Sequence, residues 1–351
     1  MSENVEFVLS CPLPITDYKN ILLGHGSGGK LSADLIKKIF LSQFKNPYLG
    51  PLNDAAVFEV NGTRLAFTTD SYVVNPIFFP GGDIGKLAVN GTINDLAVSG
   101  ARPLYISAAF ILEEGFPVEN LWKIVLSMKS ACEETGVLLV TGDTKVVDKG
   151  KGDKVFINTS GIGIVEKDIQ ISSDRARPGD KVILSGAIGI HGIAILSVRE
   201  GLEFETHILS DTAPLTSLVM DMLSVSTKIH CMRDPTRGGI ASALNEIASS
   251  SKVGIRIEEN KIPIPREVQG ACEMLGLDPL YVANEGKLIA IVDREDAERI
   301  VEKMKTHALG REAAIIGEVL DDHPGIVFMK TRIGGTRVVD MLTGEQLPRI
   351  C

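Results

Sequence analysis

The chain has 351 residues, 44% hydrophobic and 23% charged, with a formal net charge of −9. That length fits two domains of ordinary size with ample core material, and the acidic balance speaks against a nonspecific binder of nucleic acid or anionic membrane. Met1-Ser2-Glu3-Asn4 lacks the basic and apolar regions of a secretory signal, and no apolar run reaches membrane-span length, so a cytoplasmic protein is expected.

Residues 1–20 read as poorly structured. Gly24-His25-Gly26-Ser27-Gly28-Gly29-Lys30 then leads into an amphipathic pattern through Phe44. A glycine-rich loop entering a helix can turn backbone N–H groups toward phosphate, with Lys30 closing over it; a flexible hinge is the competing reading. The loop does not have the P-loop spacing, because Leu31 follows Lys30. Strands are predicted over 57–60, 64–69, 104–112, 137–141 and 155–165, and helices over 85–98 and 118–134. The Gly142-Asp143-Thr144-Lys145 segment reads as a turn after the fourth strand.

The pattern restarts near Arg175-Ala176-Arg177-Pro178-Gly179-Asp180, which places a domain boundary at about 167–178. A strand over 181–185 leads through a second glycine-rich turn, 186–192, into a helix over 193–200. His191 reads as a residue of that turn rather than a base. A helix over 216–224 precedes Asp234-Pro235-Thr236-Arg237-Gly238-Gly239, a turn in which Thr236 can cap the helix running to Ala248. Strands at 254–257, 288–292, 314–318 and 326–328, with helices at 266–275 and 296–305, complete the second half. Both halves mix strands and helices, so two α/β or α+β domains are expected.

Carboxylates carry the chemistry of this pattern. Asp54, Asp70 and Asp143 fall at predicted strand ends, and Asp95 lies in an apolar helix; Asp234 adds one from the second half. Singly, each reads as a turn or cap residue. Together, without matching basic neighbours, they read as a cluster whose repulsion a hard divalent cation would relieve, which suggests a Mg²⁺–nucleotide site.

The five cysteines, Cys11, Cys132, Cys231, Cys272 and Cys351, form no C-x-x-C pair, so zinc and dithiol chemistry are unsupported and disulfides are not expected. Cys132 keeps helical spacing with Val118, Leu121, Trp122, Val125 and Met128, and Cys272 with Val268 and Leu275; both read as core. Cys351, the last residue of the sequence, admits two readings. It is an unremarked end, or it is a thiol carried on a tether from Gly335 onward, with Arg349 beside it favouring the thiolate. Fully extended, that tether spans roughly 50 Å.

The motifs Asn53-Asp54-Ala55-Ala56, Thr68-Thr69-Asp70, Asn94-Asp95-Leu96-Ala97, Gly100-Ala101-Arg102-Pro103, Thr141-Gly142-Asp143-Thr144 and Pro178-Gly179-Asp180 occur in order. Together they resemble the aminoimidazole ribonucleotide synthetase superfamily, which includes selenide water dikinase and thiamine monophosphate kinase. The His25-Gly26-Ser27-Gly28-Gly29 loop, the 234–239 motif, Gly334-Gly335-Thr336-Arg337 and the ending Pro348-Arg349-Ile350-Cys351 are similar to the hydrogenase-maturation (HypE) subgroup. The resemblance covers nearly the whole chain.

It implies an N-terminal ATP-binding and dimerisation domain (1–170), a C-terminal α/β domain (171–334) and a mobile tail (335–351). It further implies a homodimer that pairs N-terminal sheets, and ATP held with Mg²⁺ on Asp54, Asp70, Asp95 and Asp234. Lys30, Asn94, Gly142, Asp143 and Thr144 would serve the nucleotide, and Cys351, Lys145 and Glu285 the chemistry. The implied partners are HypF as carbamoyl donor and the HypC–HypD pair as cyanide acceptor. The implied reaction is ATP-dependent dehydration of an S-carbamoyl group to a thiocyanate. A small-molecule kinase or a non-catalytic nucleotide-gated carrier are the alternatives; Ser27, where selenide chemistry relies on cysteine, argues against a selenide enzyme.

Overall fold

The computed structural model describes residues 18–201, 208–344 and 349–351, so Cys11 and Pro348 lie outside it. The first half contains β1 (Ala56–Val60), β2 (Thr63–Tyr72), a small ribbon of β3 (Phe78–Phe79) and β4 (Gly82–Asp83), then β5 (Ala101–Glu113), β6 (Leu138–Val147) and β7 (Val155–Val165). Five of these form one sheet in the order β1-β2-β7-β5-β6. Only the β5–β6 pair is parallel. The helices Ile84–Val98 and Val118–Thr135 pack on one face. Asp83 starts the first of these by accepting from the N–H groups of Gly85 and Lys86. Alternation along β7 buries Val155, Ile157 and Thr159 against that layer. The opposite face stays open, and Phe67, Tyr105 and Ile111 are each 45% exposed on it.

The second half builds a seven-stranded sheet from β8 (Lys181–Leu184), β9 (Ile229–Arg233), β10 (Gly254–Glu258), β11 (Ile289–Val292), β12 (Ala314–Leu320), β13 (Val327–Lys330) and β14 (Thr336–Val338). Both faces are covered. Val182, Leu184, Ile289 and Ile291 pack on the helix Gly239–Ser251, while Ile183, Ala290 and Val292 pack on Thr216–Val225 and Ala297–Lys305. Burial on both sides explains why these strands read as continuous apolar runs rather than alternating ones.

Several details depart from the sequence reading. Asp70 lies within β2 rather than at its end, and β6 runs straight through Gly142-Asp143-Thr144-Lys145 with no turn. Gly142 is required by packing: a Cβ there would sit 2.3 Å from the Ala108 carbonyl oxygen of β5. Thr336–Val338, within the stretch assigned to a tail, pairs with β13. Cys132 and Cys272 are buried as expected, whereas Val118 and Trp122, on the same helix as Cys132, are exposed. No helix among the described residues is long and apolar enough to cross a membrane.

Candidate functional site

Asp54, Asp70, Asp95 and Asp234 reach one cavity of about 220 Å³ from four separate elements. Alternation on β2 turns Asp70 to the side of Thr68 and Tyr72, facing the helix Ile84–Val98 that carries Asp95. Asp54 precedes β1, and Asp234 follows β9. One carboxylate oxygen from each of Asp54, Asp95 and Asp234 lies within 4.8 Å of the others. Thr68 Oγ1 is 2.7 Å from Asp95 Oδ2, and the Tyr72 hydroxyl donates to Asp70 at 3.1 Å.

Positive charge in the cage is scarce. Arg233 pairs with Asp54 at 2.7 Å and with Glu246 at 3.0 Å. Burial, then the neighbouring carboxylates, push Asp234 up to about 8. Burial outweighs Arg233 and pushes Asp54 up to about 6. Burial likewise raises Asp70, and it raises Asp95 well above the usual range with help from Asp70 and Asp234. A hard, oxygen-seeking divalent cation is the group this donor set fits.

Glu285 enters the same cavity and is 2% exposed. Its backbone N–H donates to Asp211 at 3.1 Å, and its carbonyl accepts from Asn94 at 3.3 Å. Its Oε1 has no hydrogen-bond partner among the described residues. Burial, then Asp234, raises its carboxyl well above the usual range. Once ionised, a carboxylate held this way is a strong proton acceptor.

Residues 349–351 dock beside residues 73–75 through backbone hydrogen bonds and bring Cys351 to this cavity. Val73 N–H donates to the Cys351 carbonyl, and Asn75 N–H to the Arg349 carbonyl, both at 3.1 Å. Ile350 is 3% exposed in the core with Tyr72, Val74 and Phe79. The thiol of Cys351 faces the cavity lined by Asp70, Asp234, Arg237 and Glu285. Burial pushes this thiol up to about 12, with Arg237 opposing the shift. Arg349 does not serve the sulfur: its side chain donates to Asp153 and to the Val73 carbonyl. Arg237 takes that place, and it also donates to the Gly26 carbonyl at 3.1 Å. No spacing rule pointed to Arg237, because it lies 114 positions from Cys351 in the sequence.

The remaining predicted residues lie elsewhere. Gly142, Asp143 and Thr144 border a second, larger cavity of about 790 Å³ whose wall includes Ala108, Phe110, Val125, Met128 and Leu139. Lys145 lines neither cavity and pairs with Asp143 at 2.9 Å on the exposed β6. Asn94 also lines neither; its buried amide bonds the carbonyls of Ala213 and Glu285 and the N–H of Leu215. In the glycine-rich loop, the N–H groups of His25, Ser27, Gly28 and Lys30 already have partners within the chain. That loop packs on Arg237 and Leu342 in place of presenting a phosphate cradle, and Lys30 is exposed beside it.

Residues 52–165 match the N-terminal domain of AIR synthase related protein, and residues 177–330 match its C-terminal domain. The carbamoyl dehydratase HypE of Azotobacter vinelandii is 57% identical over 327 residues, covering 93% of this chain and 96% of that one. A crystal structure of a HypE–HypF complex superimposes with a TM-score of 0.84 at 50% identity, covering 88% of this chain and 99% of that one. A HypE crystallised in complex with ATP superimposes with a TM-score of 0.80 at 51% identity, covering 95% and 100%. This chain belongs to the HypE family of carbamoyl dehydratases, within the AIR synthase related proteins.

Proposed function

We propose that this chain uses ATP to dehydrate an S-carbamoyl group on Cys351 to a thiocyanate, the source of a cyanide ligand for [NiFe]-hydrogenase iron. The observation that carries the reading is the placement of the Cys351 thiol in one cavity with four aspartates and Glu285. The chemistry needs those parts together. Oxide is a poor leaving group, so the amide oxygen of S–C(=O)–NH₂ must first take the γ-phosphoryl group, releasing ADP. The C–O bond then breaks with phosphate departing, while the nitrogen gives up its two protons and its electrons complete C≡N. Bound Mg²⁺ would neutralise phosphate charge; Asp54, Asp70, Asp95 and Asp234 would hold it. Glu285 would receive a proton from nitrogen, and Arg237 would hold the S-linked group.

The high position of the docked thiol implies an order of events. A sulfur that titrates at about 12 is protonated and a poor nucleophile. On this reading, loading occurs with the tail released and dehydration with the tail docked. The apolar cavity beside Gly142, Asp143 and Thr144 suits a nucleotide base. A second copy would cover the open face of the five-stranded sheet, giving Lys145 a route to phosphate in the paired molecule. The HypC–HypD pair would take the cyanide.

The test is intact-protein mass spectrometry with HypF, carbamoyl phosphate, ATP and Mg²⁺. We expect a gain of one carbamoyl group on Cys351, then loss of one water on addition of ATP to the isolated adduct. An adduct that survives Cys351→Ala sinks the assignment of the sulfur. Loading without water loss would make the chain a carrier only.

A further inference from the structure

We propose that His191 is a positioning residue that latches the docked tail through the Ile350 carbonyl and so sets the Cys351 side chain in the reaction cavity. The backbone carbonyls of residues 349, 350 and 351 do not share one set of partners. On one side, the carbonyls of Arg349 and Cys351 are taken by the backbone at Asn75 and Val73. The Ile350 carbonyl points the other way, where no strand stands to receive it among the described residues. His191 Nε2 lies there, 2.8 Å away, in a buried contact. Its ring substitutes for the missing neighbour.

The imidazole is prepared for this one task. It is fully buried in the helix Ile190–Arg199 and stands edge-on to Phe79, with centroids 5.6 Å apart. A carbonyl only accepts, so Nε2 must carry the proton. In the neutral ring, Nδ1 then accepts from Ser210 Oγ, 2.7 Å away. Burial lowers the basicity of the ring, in keeping with a neutral donor. Both ends of the contact lie in the core, so either one left alone carries the penalty of an unpaired buried polar group. Releasing the tail breaks this buried bond along with those at Val73 and Asn75, so the bond favours the docked position. His191 does not touch the sulfur or the reacting carbon.

This inference rests on Cys351 being the cargo-bearing residue, and the test separates the two. In the full-length chain, the rate of Cys351 alkylation by N-ethylmaleimide, read by peptide mass spectrometry, reports release of the tail without any carbamoyl chemistry. We expect His191→Phe, which keeps a ring and removes the donor, to raise that rate on the order of tenfold. His191→Gln, whose amide can reach the same carbonyl, should restore most of the protection. With the carbamoyl adduct, kcat for water loss should fall by a similar factor in His191→Phe, with KM for ATP unchanged and loading by HypF no slower than in the wild type. Equal alkylation rates in wild type and His191→Phe overturn the latch. Should His191→Phe fail to fold, His191→Asn, whose amide reaches Ser210 but not Ile350, carries the same comparison. Failure of the wild-type adduct to lose water, with the alkylation difference intact, would sink the function and leave the latch standing.

Discussion

Replacing Asp234 by asparagine should stabilise the cation-free protein, and increasingly so as the pH rises. In the folded chain this carboxyl titrates at about 8, against an ordinary 3.8. Between those values the folded state holds a proton that the unfolded state has lost. Stability of the wild type therefore falls as the pH climbs from about 4 to about 8, by at most about 1.4 kcal/mol per unit for one such group. From pH 5 to pH 8 that bound is about 4 kcal/mol. Asp54 and Asp70 share the repulsion and the cavity relaxes, so about 2 kcal/mol is the expected difference, or roughly 3 °C in melting temperature for a chain of this length. The assay is thermal unfolding of wild type and Asp234→Asn in a chelating buffer at pH 5 and pH 8. The variant should melt higher, with the gap widening at pH 8. Adding Mg²⁺ and ATP should reverse the order, because the wild type gains more from binding. A gap that does not change with pH, or a variant that melts lower at pH 8 without cation, would refute the reasoning.

Glu285→Gln should load carbamoyl normally and slow the loss of water by about 10²–10⁴-fold, measured in single turnover; an unchanged rate removes Glu285 as the proton acceptor. Gly142→Ala would drive a methyl group to 2.3 Å from the Ala108 oxygen. It should therefore cost about 2 kcal/mol in denaturant unfolding by parting β5 from β6, and an unchanged midpoint would contradict that packing. Ile111→Asp, on the open sheet face, should shift the sedimentation profile from dimer to monomer while leaving the melting of the monomer intact. A wild type that sediments as a monomer would argue against sheet pairing.

The elements most legible in the sequence are those whose pattern one neighbour decides. The helix Ile84–Val98 announces itself by its apolar run, and the fold adds Asp83 as its cap. The aspartates are legible as a group because uncompensated carboxylates are costly unless they meet. Less legible is whatever depends on distant backbone. Gly142 looks like a turn residue, yet it is glycine because Ala108 of the adjacent strand leaves no room for a side chain. β9 is not legible, because Ile229-His230-Cys231-Met232-Arg233 carries no strand alternation; four of its five residues are buried. His191 and Arg237 sit in glycine-rich contexts that suggest turns, and only the folded chain brings them to residues 350 and 351. Arg349, two residues before Cys351, suggests itself as the thiol's partner from the sequence, but the fold commits its side chain to Asp153 and the Val73 carbonyl.

Asn94 has a consequence for how the molecule can move. One amide bolts the helix bearing Asp95 to the carbonyls of Ala213 and Glu285 and to the N–H of Leu215. Glu285 and the carboxylate cage are thus fastened to a common frame across the junction of the two sheets. Rocking one half against the other would have to tear out all three bonds at once. In the proposed reaction, the workbench would be fixed, and travel during a catalytic cycle would fall to the workpiece at residue 351.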